Sequence, residues 1–276
     1  MRFTKLAILA FSSVLIASCN NPSTNTDESL GENTVDTTAK NIEQQKINAQ
    51  NVFNSIPGPS ELGKLVEDAG LDYDGALLNS IEYNKYVSDN FKALNLGVYG
   101  GDLAYANVYE QSQDALLYLK CVNAICKNLG ITEVFDAKTA DRLQANRDNK
   151  DSLLTIVTKS FLQADKFLRE NQRPHTSSLM VAGGWIEGLY LSAKVATKSK
   201  NKKFIKKMSE QGNSLVDLIA LMENAGIKGD GTFVTDGLKD LKVSYDKIPA
   251  NTIMNDTLLS EIDLKVTTLR KKIVME

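Results

Sequence analysis

From Ala39 onward, apolar residues recur at steps of three and four. Leu153, Leu154, Val157, Phe161, Ala164 and Leu168 form one series, Leu215, Leu218, Ile219 and Met222 another, and Leu258, Ile262, Val266, Leu269 and Ile273 a third. Such spacing puts each set on one face of an α-helix. The β-branched residues never alternate for long, so strand signals are weak. Proline acts only as punctuation at Pro57, Pro59, Pro174 and Pro249, and none lies between Ser60 and Arg173. Long helices therefore meet no interruption there. The pattern predicts an all-α, multi-helix bundle of nine or ten helices, near 40–55, 60–69, 74–94, 97–129, 138–146, 150–172, 175–199, 201–225, 233–247 and 255–274.

The first 38 residues break this pattern. Arg2 and Lys5 precede an uncharged, mostly apolar run from Leu6 to Ile16, which leads into Ala17-Ser18-Cys19. The run is well short of the roughly 20 residues a finished span needs, and the arrangement reads as an export signal. Cysteine directly after Ala-Ser resembles the lipobox of bacterial lipoproteins, and that resemblance implies acylation of Cys19. Residues 20–38 are polar, contain Pro22 and Gly31, and read as a flexible tether averaging about 24 Å end to end. The expected organisation is a signal peptide at 1–18, a tether at 19–38 with lipidated Cys19, and an all-helical domain at 39–276.

Charge adds an exclusion. Losing residues 1–18 removes two basic side chains and no acid, leaving 30 of the 32 basic against 34 acidic, a net of about −4. This balance offers no concentrated positive footprint for nucleic acid. The acyl chains would be the only link to the membrane, each buried methylene contributing about 0.8 kcal/mol. Cys121 and Cys126 stand five residues apart, about 140° around a helix and beyond bridging reach, so they read as buried free thiols.

Candidate chemistry is sparse. His175, the sole histidine, follows Pro174 at an expected helix start and has no cluster with which to bind metal. Asp148-Asn149-Lys150-Asp151 lacks the glycine and closing glutamate of a calcium loop and reads as a helix N-terminus. Gly229-Asp230-Gly231 reads as a turn. No nucleophile-elbow, zinc-protease, Cys-x-x-Cys or phosphate-loop pattern occurs, and no cofactor is implied. Val98-x-Gly100-Gly101-x-Leu103 is echoed 83 residues later by Val181-x-Gly183-Gly184-x-Ile186, which leaves two related halves open. A glycine pair inside a helix costs about 2 kcal/mol relative to alanine, and serves either close helix packing or a ligand-facing gap.

Three groups of side chains follow. Asp102, with Tyr105 and Tyr109 at helical spacing, and Glu187, with Trp185 and Tyr190 beside it, would line a polar pocket if the two glycine stretches meet; otherwise each acid bonds a tyrosine or faces water. Seven of the nine tyrosines fall between Tyr73 and Tyr118, as a platform for flat ligands or as half-buried rings with rim hydroxyls. Lys194, Lys198, Lys200, Lys202, Lys203, Lys206 and Lys207 lie within 14 residues free of acids, and the last five are candidates for contact with an anionic surface or form a solvated helix corner.

The run from Lys92 to Leu103, Asn149-Lys150-Asp151-Ser152-Leu153-Leu154, and Gly183-Gly184-Trp185-Ile186-Glu187-Gly188-Leu189-Tyr190 resemble an uncharacterised family of Bacteroidetes-type helical lipoproteins, from about residue 55 to 200. The resemblance implies envelope location and a helical fold and supplies no reaction. Asn20-Asn21-Pro22-Ser23 replaces the acidic surface-export signal that can follow the acylated cysteine, which favours a periplasm-facing domain on the outer membrane. Two functional expectations result. One is a non-enzymatic helical domain binding an envelope protein or small ligand. The other is an envelope hydrolase or transferase working from Asp102 and Glu187, which requires the two carboxyls to converge in a cleft.

Overall fold

Side-chain caps set where several of the helices begin in the computed structural model, which describes residues 32–55, 65–132, 137–146 and 149–275. The signal peptide, Cys19 and positions 20–31 of the expected tether lie outside the described residues. The helices are α1 (Glu32–Asn54), α2 (Asp89–Val108), α3 (Ser112–Asn128), α4 (Ala137–Ala145), α5 (Lys150–Glu170), α6 (Pro174–Ser199), α7 (Lys202–Asn224), α8 (Phe233–Tyr245) and α9 (Asp256–Val274). Ser88 accepts from Phe91 N at 3.2 Å, Asn149 from Ser152 N at 2.9 Å, Asn201 from Lys203 N at 2.9 Å and Asn255 from Leu258 N at 2.9 Å. Each satisfies an amide that the first helical turn leaves without a partner. Asn149 thus makes the acidic stretch a helix start, as expected, and Pro174 occupies the first position of α6.

No strand occurs among the described residues, and the fold is the expected all-α bundle. From Ala39 onward the chain forms one compact unit. Two expectations need correction. Helix α1 starts at Glu32, inside the stretch read as tether. Gln45, Asn48, Ala49 and Val52 bury one face of its later turns, and a docked helix extends by further turns at little cost.

The second correction concerns residues 71–111. In place of helices near 74–94 and 97–129, the chain runs as a strap with 3-10 turns at Gly75–Leu77 and Tyr83–Lys85, then forms α2, breaks at Glu110 (φ 59°), and forms α3. The strap is held by side chains that replace helical hydrogen bonds. Tyr99 Oη donates to Ser80 O at 2.6 Å, Tyr118 Oη to Asn79 O at 3.0 Å, and Arg270 Nη2 to Leu77 O at 3.2 Å. The tyrosines Tyr86, Tyr99 and Tyr118 therefore turn their hydroxyls inward, on the strap, and form no exposed platform.

Helices α2 and α6 form the most extensive interface and the centre of the bundle. Both are buried around most of their circumference, with α3, α5, α7 and α9 packed about them. They run in the same direction, because Leu94, Gly97 and Gly101 meet Gly183, Gly184 and Gly188 in turn. A Cβ on Gly97 would land on the Met180 carbonyl oxygen and the Gly184 nitrogen; one on Gly183 would land on the Leu94 carbonyl. The glycines thus serve close backbone approach. Gly188 differs: a Cβ there meets nothing within 4 Å.

Gly97→Ala and Gly183→Ala are therefore expected to cost about 3 kcal/mol or more each, since backbone has to give way. Gly188→Ala should gain about 0.5–1 kcal/mol from helix propensity. Urea unfolding of the three variants checks the contrast.

Candidate functional site

The two glycine stretches do bring Asp102 and Glu187 together, but within the core. Both residues are completely buried. Glu187 Cγ fills the space beside Gly101, 2.9 Å from where a Cβ would stand. Arg270 of α9 meets it: Nε donates to Oε2 at 2.9 Å and Nη2 to Oε1 at 3.3 Å. The guanidinium also lies over the Tyr190 ring, 4.6 Å from its centre. Asp102 Oδ2 accepts from the Asn79 amide at 3.4 Å, which ties the strap to α2.

Burial first, and then the neighbouring Glu187 carboxylate, push the Asp102 carboxyl well above the usual carboxylate range, against a smaller pull from Arg270. Both effects favour the neutral acid form of Asp102 over the carboxylate. Burial works against the Arg270 charge, but the Glu187 pairing outweighs it and raises the guanidinium further. Arg270 and Glu187 pair as opposite charges, and a neutral Asp102 beside them adds no charge to bury.

Sequence reading missed Arg270, although a signal was present. It stands four residues after Val266 and three before Ile273, on the apolar stripe of α9 itself. A charge in that position calls for a buried partner.

The expected polar pocket is therefore two separate features. The second is a cavity of about 230 Å³ over the cleft between α2 and α6. Its floor includes Gly97, Gly101, Gly184 and Gly188, and at Gly188 the missing side chain leaves open space. Val157 and Phe161 of α5, Phe204 and Met208 of α7, and Val52 and Phe53 of α1 wall it. Tyr105 and Trp185 of the expected site line this cavity; Asp102, Tyr109, Glu187 and Tyr190 do not. Tyr109 packs instead at a tilt against Tyr105 and Tyr73, with ring centres 4.8 and 5.8 Å away. Trp185 Nε1 donates to Ser214 Oγ at 3.0 Å, and Ser214 Oγ to Gln211 Oε1 at 3.0 Å, closing one polar corner of an otherwise apolar wall.

The lysine row is largely matched by acids, some on other segments and one on α7 itself. Lys200 meets Asp256 at 3.1 Å, Lys203 meets Asp68 at 2.7 Å, and Lys206 and Lys207 meet Glu210 at 3.7 and 3.5 Å. Lys202 is exposed. These pairings are mostly exposed, so they place the row at a solvated corner and bind its charges only weakly. Cys121 and Cys126 are buried and unbridged, and burial pushes the Cys121 thiol up to about 11. Gly229–Gly231 is a 3-10 turn held by Asn90, whose Nδ2 donates to Lys228 O at 2.9 Å. No cluster of three metal-ligating side chains and no helix long and apolar enough to cross a membrane occurs among the described residues. Compared with protein-family models, curated proteins and solved structures, the chain matches none.

Arg270→Ala leaves the Glu187 carboxylate buried without its cation and should cost about 3–5 kcal/mol, measured by denaturant unfolding. The pH dependence has a definite sign. The stability tied to neutral Asp102 is complete below the unfolded value of about 3.9 and is lost as pH rises through the raised folded value. Asp102→Asn stays neutral throughout, so its stability relative to the parent should increase from pH 4 to pH 8. A difference that is flat with pH would mean that Asp102 ionises normally in the fold.

Proposed function

We propose that this chain is a lipid-anchored bacterial envelope protein, held at the outer membrane by acyl chains on Cys19 and facing the periplasm, whose helical body is a non-enzymatic domain binding a small apolar ligand. The cavity over the α2–α6 cleft carries the binding half of this reading. At about 230 Å³ it exceeds the roughly 150 Å³ of an apolar cavity that holds benzene. Its walls come from α1, α2, α5, α6 and α7, a converging set of apolar surfaces around a few polar groups. The anchoring half rests on the basic start, the apolar run and Ala17-Ser18-Cys19.

The alternative, catalysis by Asp102 and Glu187, has no such support. Both carboxyls are wholly buried, Arg270 occupies Glu187, and neither residue lines the cavity. A substrate would find no route to them, so their chemistry serves the fold.

Two measurements test the two halves. Radiolabelled palmitate should enter the protein in cells, and Cys19→Ser should release it from the membrane fraction. An environment-sensitive apolar fluorophore should bind once per chain, and Gly188→Leu, which fills the cavity floor, should weaken it at least tenfold, equivalent to about 1.4 kcal/mol, while the fold is retained. Fluorophore binding indifferent to Gly188→Leu would remove the cavity from this account.

A further inference from the structure

We infer that the cavity takes a single unbranched hydrocarbon chain ending in an anionic head group, of the fatty-acid type. This rests on the binding-domain reading and adds the class of ligand. Size is the first argument. At about 230 Å³ the cavity is somewhat larger than the roughly 150 Å³ apolar cavity that holds benzene, room for one short hydrocarbon chain.

Shape is the second. Gly97, Gly101 and Val108 succeed one another along α2, and Gly184, Gly188 and Val195 along α6, which runs in the same direction. Eleven residues at 1.5 Å each make a trough roughly 16 Å long. Phe161 flanks it from α5 and Met208 from α7. A long, narrow floor between two helix backbones follows an extended chain better than a broad fused ring.

Charge is the third. Among the described residues that line the cavity, Lys207 alone is charged. Its side chain is 39% exposed, so the ammonium sits at the rim with an apolar interior behind it. Glu210 approaches that ammonium at 3.5 Å, and the pairing is half exposed and therefore weak. The chain enters first and the head group stays at the rim. A free fatty acid and a one-chain phospholipid both present this chemistry.

The test is calorimetric titration of the full chain carrying Cys19→Ser, purified without detergent, with decanoate, decanol, decanoyl lysophosphatidylglycerol and naphthalene-2-carboxylate. Decanoate is expected to bind one per chain. Gly188→Leu should weaken it tenfold or more, and Ser192→Leu, which fills the same trough from the next turn, should do the same if the first variant fails to fold. Lys207→Gln should weaken decanoate two- to fivefold and leave decanol unchanged. Binding of the lysolipid as well as decanoate assigns the chain to membrane lipid; decanoate alone assigns it to free acid. Naphthalene carboxylate binding in the trough without decanoate overturns the chain proposal and leaves the binding domain standing. If nothing apolar binds to the folded chain, both readings fall.

Discussion

The structure depends on the backbone contact between α2 and α6. At Gly97 and Gly183 there is no room even for a methyl group, because the opposing helix presents its own carbonyl oxygens there. That approach is closer than side-chain packing permits between ordinary helices, whose axes stand about 8–10 Å apart. It sets the position of every group carried by the two helices. On one side it presses Asp102 against Glu187, and on the other it leaves the floor of a cavity. Because the two helices are surrounded by the rest of the bundle, a change in their spacing would propagate to α5, α7 and α9.

The buried cluster is the electrostatic consequence. Two carboxyls and a guanidinium in an apolar interior are tolerable only with their charges matched; Arg270 matches Glu187, and burial favours the neutral form of Asp102. The cluster also specifies arrangement. Arg270 reaches Leu77 O as well as Glu187, and Asp102 reaches the Asn79 amide, so α9, α6, α2 and the strap at 71–88 are registered against each other. An apolar core of equal volume offers no such directional fit.

The proposed ligand site uses the opposite property of the same contact. Where the glycines do not touch, as at Gly188, they leave volume, and the aromatic and aliphatic side chains of α1, α5 and α7 enclose it. An apolar trough with one rim cation suits a molecule that is itself amphipathic. On the proposed reading the lipid on Cys19 keeps this trough close to a bilayer, the reservoir of such molecules.

Much of the architecture was legible in the sequence by itself. Three- and four-residue spacing gave the all-α class and the extents of α5 to α9 within a few residues, and polar caps such as Asn149 and Asn255 marked their starts. These are local signals, set by helical geometry over a few turns. The paired glycines announced a close approach, and Asp102 and Glu187 announced a shared location. Tertiary structure alone decided the rest. It turned residues 71–88 into a strap, because tyrosine and arginine side chains distant in sequence satisfy its carbonyls better than a helix would. It brought in Arg270 from the far end of the chain, and it set Tyr105 and Trp185 in the cavity wall while the carboxyls lie away from it. Which face of an almost entirely apolar helix meets which neighbour is a property of packing, and no periodicity within α2 or α6 encodes it.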